Sequence, residues 1–112
     1  MKKRQRKGLL EGKSIEIGGI IYPVIYRSVV KIGKRLAVRG AIDFDKREIE
    51  IQRGMSASEE IEVIMHEILH GVIDTLIPPK LLDSSEGIEE IIVMPFSRVL
   101  VSALRSANLL KE

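Results

Sequence analysis

The 112-residue chain has no cysteine, no tryptophan and only two histidines, and aromatic residues make up 4% of it. Without thiols there is no disulfide framework, no thiolate metal site and no cysteine nucleophile, which leaves His, Asp and Glu to hold any metal. Long apolar runs are missing as well. Stretches such as Ile91 to Phe96 are far shorter than the roughly 20 residues of a membrane-spanning helix or the 7–15 or so of a secretory signal. No signal peptide is visible, so the expected location is the cytoplasm. A chain of this length builds one core that buries roughly two thirds of its unfolded surface. One small site must therefore carry the function.

Net charge is +2 but uneven. Lys2, Lys3, Arg4, Arg6 and Lys7 place five of the 18 basic residues in the first seven positions, and the rest of the chain carries 13 basic against 16 acidic side chains. Residues 1–8 read as a basic, disordered arm and residues 9–112 as a single domain. Such an arm offers weak contact to nucleic-acid phosphate. No aromatic interleaving or recognisable binding fold accompanies it, and a solvated tail is the simpler expectation.

The first half has the alternation of strands. Ser14 to Ile17 alternates at period two, Gly18-Gly19 supplies a turn or bulge, and Ile20 to Val30 is rich in β-branched and aromatic residues. Gly33-Lys34-Arg35 predicts a hairpin into Leu36 to Ile42, and Asp43-Phe44-Asp45-Lys46 a turn into the alternating Glu48 to Gln52. The expectation is a sheet of three or four strands arranged as a meander.

The second half has helical spacing. Ser56 or Ser58 can cap a helix with Glu59, Glu60 and Glu62 in its first turns, followed by Ile61, Ile64, Met65, Ile68, Leu69, Val72, Ile73 and Ile77 at steps of three and four. Pro78-Pro79 ends it. A second helix is expected to start near Asp83-Ser84-Ser85-Glu86 and run toward Asn108, packing through Ile92, Phe96, Val99, Leu100 and Ala103. Pro95 inside it must kink or restart it, having no N–H for the carbonyl of Ile91. The fold class is α+β.

Both histidines fall in His66-Glu67-Ile68-Leu69-His70, in the middle of the first helix. Positions four apart on a helix differ by about 40° in direction and one turn in height, so both imidazoles can reach one ion. Glu67 projects beside the pair, placed to act as a base on water. The uncharged flanks Val63-Ile64-Met65 and Gly71-Val72 suit a helix buried on most sides. Two histidines and a glutamate are costly there unless something pairs them, which favours a metal over hydrogen-bonded core histidines.

A catalytic zinc takes three protein ligands, and the second helix offers Glu86, Glu89 and Glu90. Glu89 extends that packing stripe backward and is the expected third ligand, with Glu90 next; capping and dipole stabilisation account for the others. Asp74 could fix the His70 tautomer. Tyr22 and Tyr26 could stabilise an oxyanion, although strand tyrosines are more often core residues.

Strands, this motif, and Glu89-Glu90 leading a helix that ends in Leu104-Arg105-Ser106-Ala107-Asn108 together resemble small zincin-like metallopeptidases. The likeness is to the minimal gluzincin, phage- or prophage-type kind, and in outline to SprT-like and ImmA-type proteases. It covers residues 40–108. The resemblance implies Zn2+ on His66, His70 and Glu89 or Glu90, water activation by Glu67, and a peptide substrate added as a strand along Ala37 to Phe44. Two positions depart from the pattern: Val93 stands where longer relatives carry an aspartate, and Pro95 interrupts a usually continuous helix. The expected function is zinc-dependent peptide-bond hydrolysis. The alternatives are a phage-derived zinc-binding interaction protein with little turnover and a DNA-associated protease using the basic arm.

Overall fold

The computed structural model describes residues 7–33, 36–76 and 86–110; for Leu36 and residues 86–90 it describes the backbone. Six strands precede two helices: β1 (Ser14–Ile17), β2 (Ile20–Arg27), β3 (Val30–Ile32), β4 (Leu36–Val38), β5 (Gly40–Asp43), β6 (Glu48–Gln52), α1 (Ala57–Leu76) and α2 (Glu86–Ser106). The α+β class and the four-stranded sheet are as expected. No described helix is long and apolar enough to cross a membrane.

The meander is not what forms. The sheet order is β1-β2-β6-β5, with β2 and β6 parallel, while β3 and β4 form a separate hairpin. The physical reason lies in β6. Ile49 and Ile51 are both 0% exposed, and β6 takes neighbours on both sides, β2 and β5. Val24 pairs with Ile49 and Tyr26 with Ile51 across the parallel joint, and Ile42 pairs with Ile49 on the other side. The short β3 and β4 instead satisfy each other, from Val30↔Val38 to Ile32↔Leu36.

One face of this sheet makes the core. Ile17, Tyr22, Val24, Ile49 and Ile51 meet Ile64 of α1, with Leu10, Ile42, Val63, Ile68 and Val72 packed around them. On the opposite face Arg27 pairs with Glu50 at 3.3 Å. Helix α1 starts at an N-cap: Ser56 Oγ accepts from the Glu59 N–H at 3.2 Å and donates to Glu59 Oε1 at 3.3 Å. Residues 77–85, with the expected stop at Pro78-Pro79 and the expected cap of α2, lie outside the described residues.

The amino-terminal segment is fastened from Gly8 onward, one residue inside the range assigned to the arm. The buried Glu60 carboxylate accepts the Leu9 N–H and the Tyr26 hydroxyl, both at 2.6 Å, and the Tyr26 oxygen accepts the Leu10 N–H at 3.0 Å. Burial and the Glu60 carboxylate push the Tyr26 hydroxyl pKa well above its ordinary value. Tyr26→Phe removes one donor from a buried carboxylate and one acceptor from a backbone amide. We expect it to cost about 1–3 kcal/mol in denaturant unfolding.

Arg53 grips Glu11 with two bonds, at 2.7 and 3.0 Å, and holds the Glu11 carboxyl below its usual range. A depressed folded-state pKa contributes stability above the unfolded value and loses it as pH falls through the folded one. NMR titration should therefore show Glu11 ionising below ordinary glutamates. Arg53→Gln should return it toward them and remove this part of the acid sensitivity.

Helix α2 lies antiparallel on α1: the Arg105 guanidinium donates to the Ser58 carbonyl at 3.1 Å and to its hydroxyl at 2.9 Å, at the opposite end of α1. The helix runs through Pro95 without a break. The packing face differs from expectation. Val93, Ser97 and Val101 are buried, at 0%, 4% and 1% exposure, whereas Ile92, Phe96 and Val99 are 50%, 57% and 69% exposed. Small side chains let the two helices approach closely, where the bulky row would hold them apart.

Candidate metal centre

The site grows from the middle of α1, where the helical repeat places His66, Glu67 and His70 on the side facing β5 and α2. The two imidazole Nε2 atoms stand 3.2 Å apart, with ring centroids at 4.8 Å and planes inclined by 62°. A hydrogen bond at this distance needs one ring to carry its proton on Nε2 and the other to offer a lone pair there. Two nitrogens at about 2.0–2.1 Å from a tetrahedral zinc would be separated by roughly 3.3 Å. The pair thus already has the spacing of two zinc ligands.

Glu67 is 6% exposed and lies beside the pair. Its position depends on Gly40 of β5. A Cβ there would sit 2.5 Å from Val63 Cγ1 and 3.4 Å from Glu67 Cγ, so only a bare backbone lets the strand pass this close to the helix. Gly71, next to His70, seats α1 on the sheet in the same way: a Cβ would come within 2.7 Å of Ile17 Cδ1 and 3.2 Å of Ile42 Cδ1.

These three side chains line a cleft of about 710 Å³. Its first wall runs from Val38 through Gly40 to Ile42 and Phe44; its second is Met94, Ser97 and Arg98 of α2. That volume is of the size that holds a small ligand or a few peptide residues. The walls are mainly apolar, with charge at the rim: Arg39 pairs with Glu59 at 3.5 Å, and Arg98 is exposed. Ser97, though buried, donates its hydroxyl to the Met94 carbonyl of its own helix at 3.0 Å.

His66, Glu67 and His70 are therefore brought together as the motif implied. The side chains of Glu86, Glu89 and Glu90 lie outside the described residues, as do Lys2, Lys3, Arg4 and Arg6 of the arm. Among the described residues no group of three His, Cys, Asp or Glu side chains could hold a metal. Asp74 does not meet His70: it is exposed and makes no hydrogen bond to it. Tyr22 is a core residue at 2% exposure and Tyr26 belongs to the Glu60 network, so neither faces the cleft. Sequence reasoning missed the second wall and both glycines. The glycines had a signal, since each interrupts an otherwise regular strand or helix pattern. Compared with known proteins, the chain matches no family model, no curated protein and no solved structure.

Proposed function

We propose that this chain is a zinc-dependent metallopeptidase domain of zincin-like kind that hydrolyses peptide bonds. The observation carrying the proposal is the pair of imidazoles with Nε2 atoms 3.2 Å apart beside a buried glutamate at the floor of a cleft. His66 and His70 would hold the ion through Nε2, which requires neutral rings with their protons on Nδ1. The third ligand would come from the acidic first turn of α2. Glu89 is the residue the sequence favours. Glu90 lies four and seven residues before Met94 and Ser97, and so continues the row of α2 that lines the cleft.

Bound zinc supplies Lewis acidity, which polarises a carbonyl and acidifies water. Glu67 would take the proton of the attacking water and pass it to the leaving amine. Among the described residues β5 is paired along one edge only, to β6. Its other edge offers backbone N–H and C=O groups with which an extended peptide can pair, fixing the scissile bond over the histidines.

The test is metal analysis of the purified chain together with its cleavage of unfolded proteins. About one equivalent of zinc per chain and chelator-sensitive cleavage are expected. Absence of stoichiometric metal after zinc reconstitution would sink the reading; stoichiometric metal with no cleavage would favour the zinc-binding interaction protein.

A further inference from the structure

The cleft is lined by one cation that has no counter-charge among the described residues. Of the ionic side chains along it, Arg39 pairs with Glu59 at 3.5 Å, Glu62 lies 3.9 Å from Arg105, and Glu67 is buried beside the histidines. Arg98 is exposed and makes no hydrogen bond or ion pair among the described residues. Its neighbour Ser97 turns its hydroxyl away to the Met94 carbonyl.

The register of the two helices sets the height of this guanidinium. Arg98 and Arg105 are seven residues apart, so they stand two turns apart on nearly the same side of α2. Arg105 reaches Ser58 and Glu62 of α1. In an antiparallel pair, two turns back along α2 correspond to two turns onward along α1, from Ser58 and Glu62 to Met65 and Leu69, the stretch that holds His66. Arg98 therefore stands level with the metal-binding motif.

We propose that Arg98 selects substrates through a carboxylate, borne by an aspartate or glutamate side chain or by the end of the peptide. The inference rests on the peptidase reading of the cleft. A peptide laid along β5 finds backbone partners on the strand edge, and its apolar side chains meet Val38, Ile42, Phe44 and Met94. The same peptide covers Arg98 and takes water from its guanidinium. A neutral peptide returns no anion for that water, and a cation left unpaired out of water is costly. A carboxylate instead accepts two parallel N–H bonds from the guanidinium, a planar match that an ammonium group cannot make.

Fluorescence anisotropy of labelled peptides on the zinc-loaded Glu67→Gln chain reads this selection without turnover. Two matched comparisons separate the sources of the carboxylate: glutamate against glutamine within the peptide, and a free carboxyl end against an amidated one. One of the two carboxylates should tighten binding by about fivefold, the upper range for an exposed ion pair, and the gain should shrink as salt is raised. Added Arg98→Gln should remove the gain and leave neutral peptides bound at least as tightly, and Arg98→Lys should keep part of it.

Equal binding of acidic and neutral peptides overturns the inference. So does a gain that survives Arg98→Gln, since it would come from the ion or from Arg39. Zinc content and cleavage by the wild-type chain, measured alongside, report separately on the peptidase reading. A zinc-bound, cleaving protein without the carboxylate gain sinks selection by Arg98 alone, whereas a chain that takes up no zinc removes both.

Discussion

Glu67→Gln is expected to leave zinc content unchanged and to lower peptide hydrolysis by about 10²–10⁴-fold, the usual contribution of a positioned general base. The substitution conserves shape, which matters at a side chain 6% exposed and lying close to Gly40 of β5. An alanine there would open a cavity and confound loss of the base with loss of packing. The glutamine keeps the volume and removes only the ability to take a proton. Metal analysis and thermal unfolding of the variant should match the wild type while turnover falls. Wild-type turnover in this variant would exclude Glu67 as the base.

The second large effect is on metal retention. His66→Ala and His70→Ala should each weaken zinc binding by more than roughly 100-fold, since even outer partners of metal ligands contribute 10–100-fold. Both imidazoles are half-buried rather than central to the core, so the metal-free variants should melt close to the metal-free wild type. Zinc at about 100 times its dissociation constant stabilises a folded protein by about 2.7 kcal/mol. That increment should appear in the wild type and vanish in both variants. Equal stabilisation of all three proteins by zinc would place the ion elsewhere.

Much of the fold could be read where the determinants are local. Ser56 caps α1, as the sequence offers, with Glu59 in its first turn. The hairpin turns at Gly18-Gly19, Gly33 and Asp43 fall where short polar and glycine-rich segments interrupt alternation. What could not be read is partner choice. The pairing of β2 with β6 depends on two distant strands both presenting a buried row, and no local pattern records that match. On α2, two rows at helical spacing compete for α1, and hydropathy alone selects the bulkier Ile92, Phe96 and Val99. The distance at which two helices can pack selects Val93, Ser97 and Val101 instead.

The site divides along the same line. His66, Glu67 and His70 sit within one helix segment, so their convergence follows from helix geometry alone. The second wall, and with it any third ligand from α2, depends on which way that helix faces. Counted back from Met94 and Ser97, the helical row that lines the cleft reaches position 90 rather than 89. Gly40 and Gly71 act by what they lack, and the space each leaves becomes meaningful only once the opposing Val63, Glu67, Ile17 and Ile42 side chains are in place.

The parallel joint between β2 and β6 also sets the order in which the molecule can assemble. The β1–β2 and β5–β6 hairpins each close over a short turn, so each forms early and by itself. Val24 must then find Ile49 with β3, β4 and β5 intervening along the chain, and closing that loop costs entropy before any burial offsets it. Joining the two hairpins is therefore the pairing of the sheet with the largest loop to close. Until it is complete, β2 and β6 each expose an unpaired edge beside an apolar face, which is the stage at which the chain is most prone to aggregate.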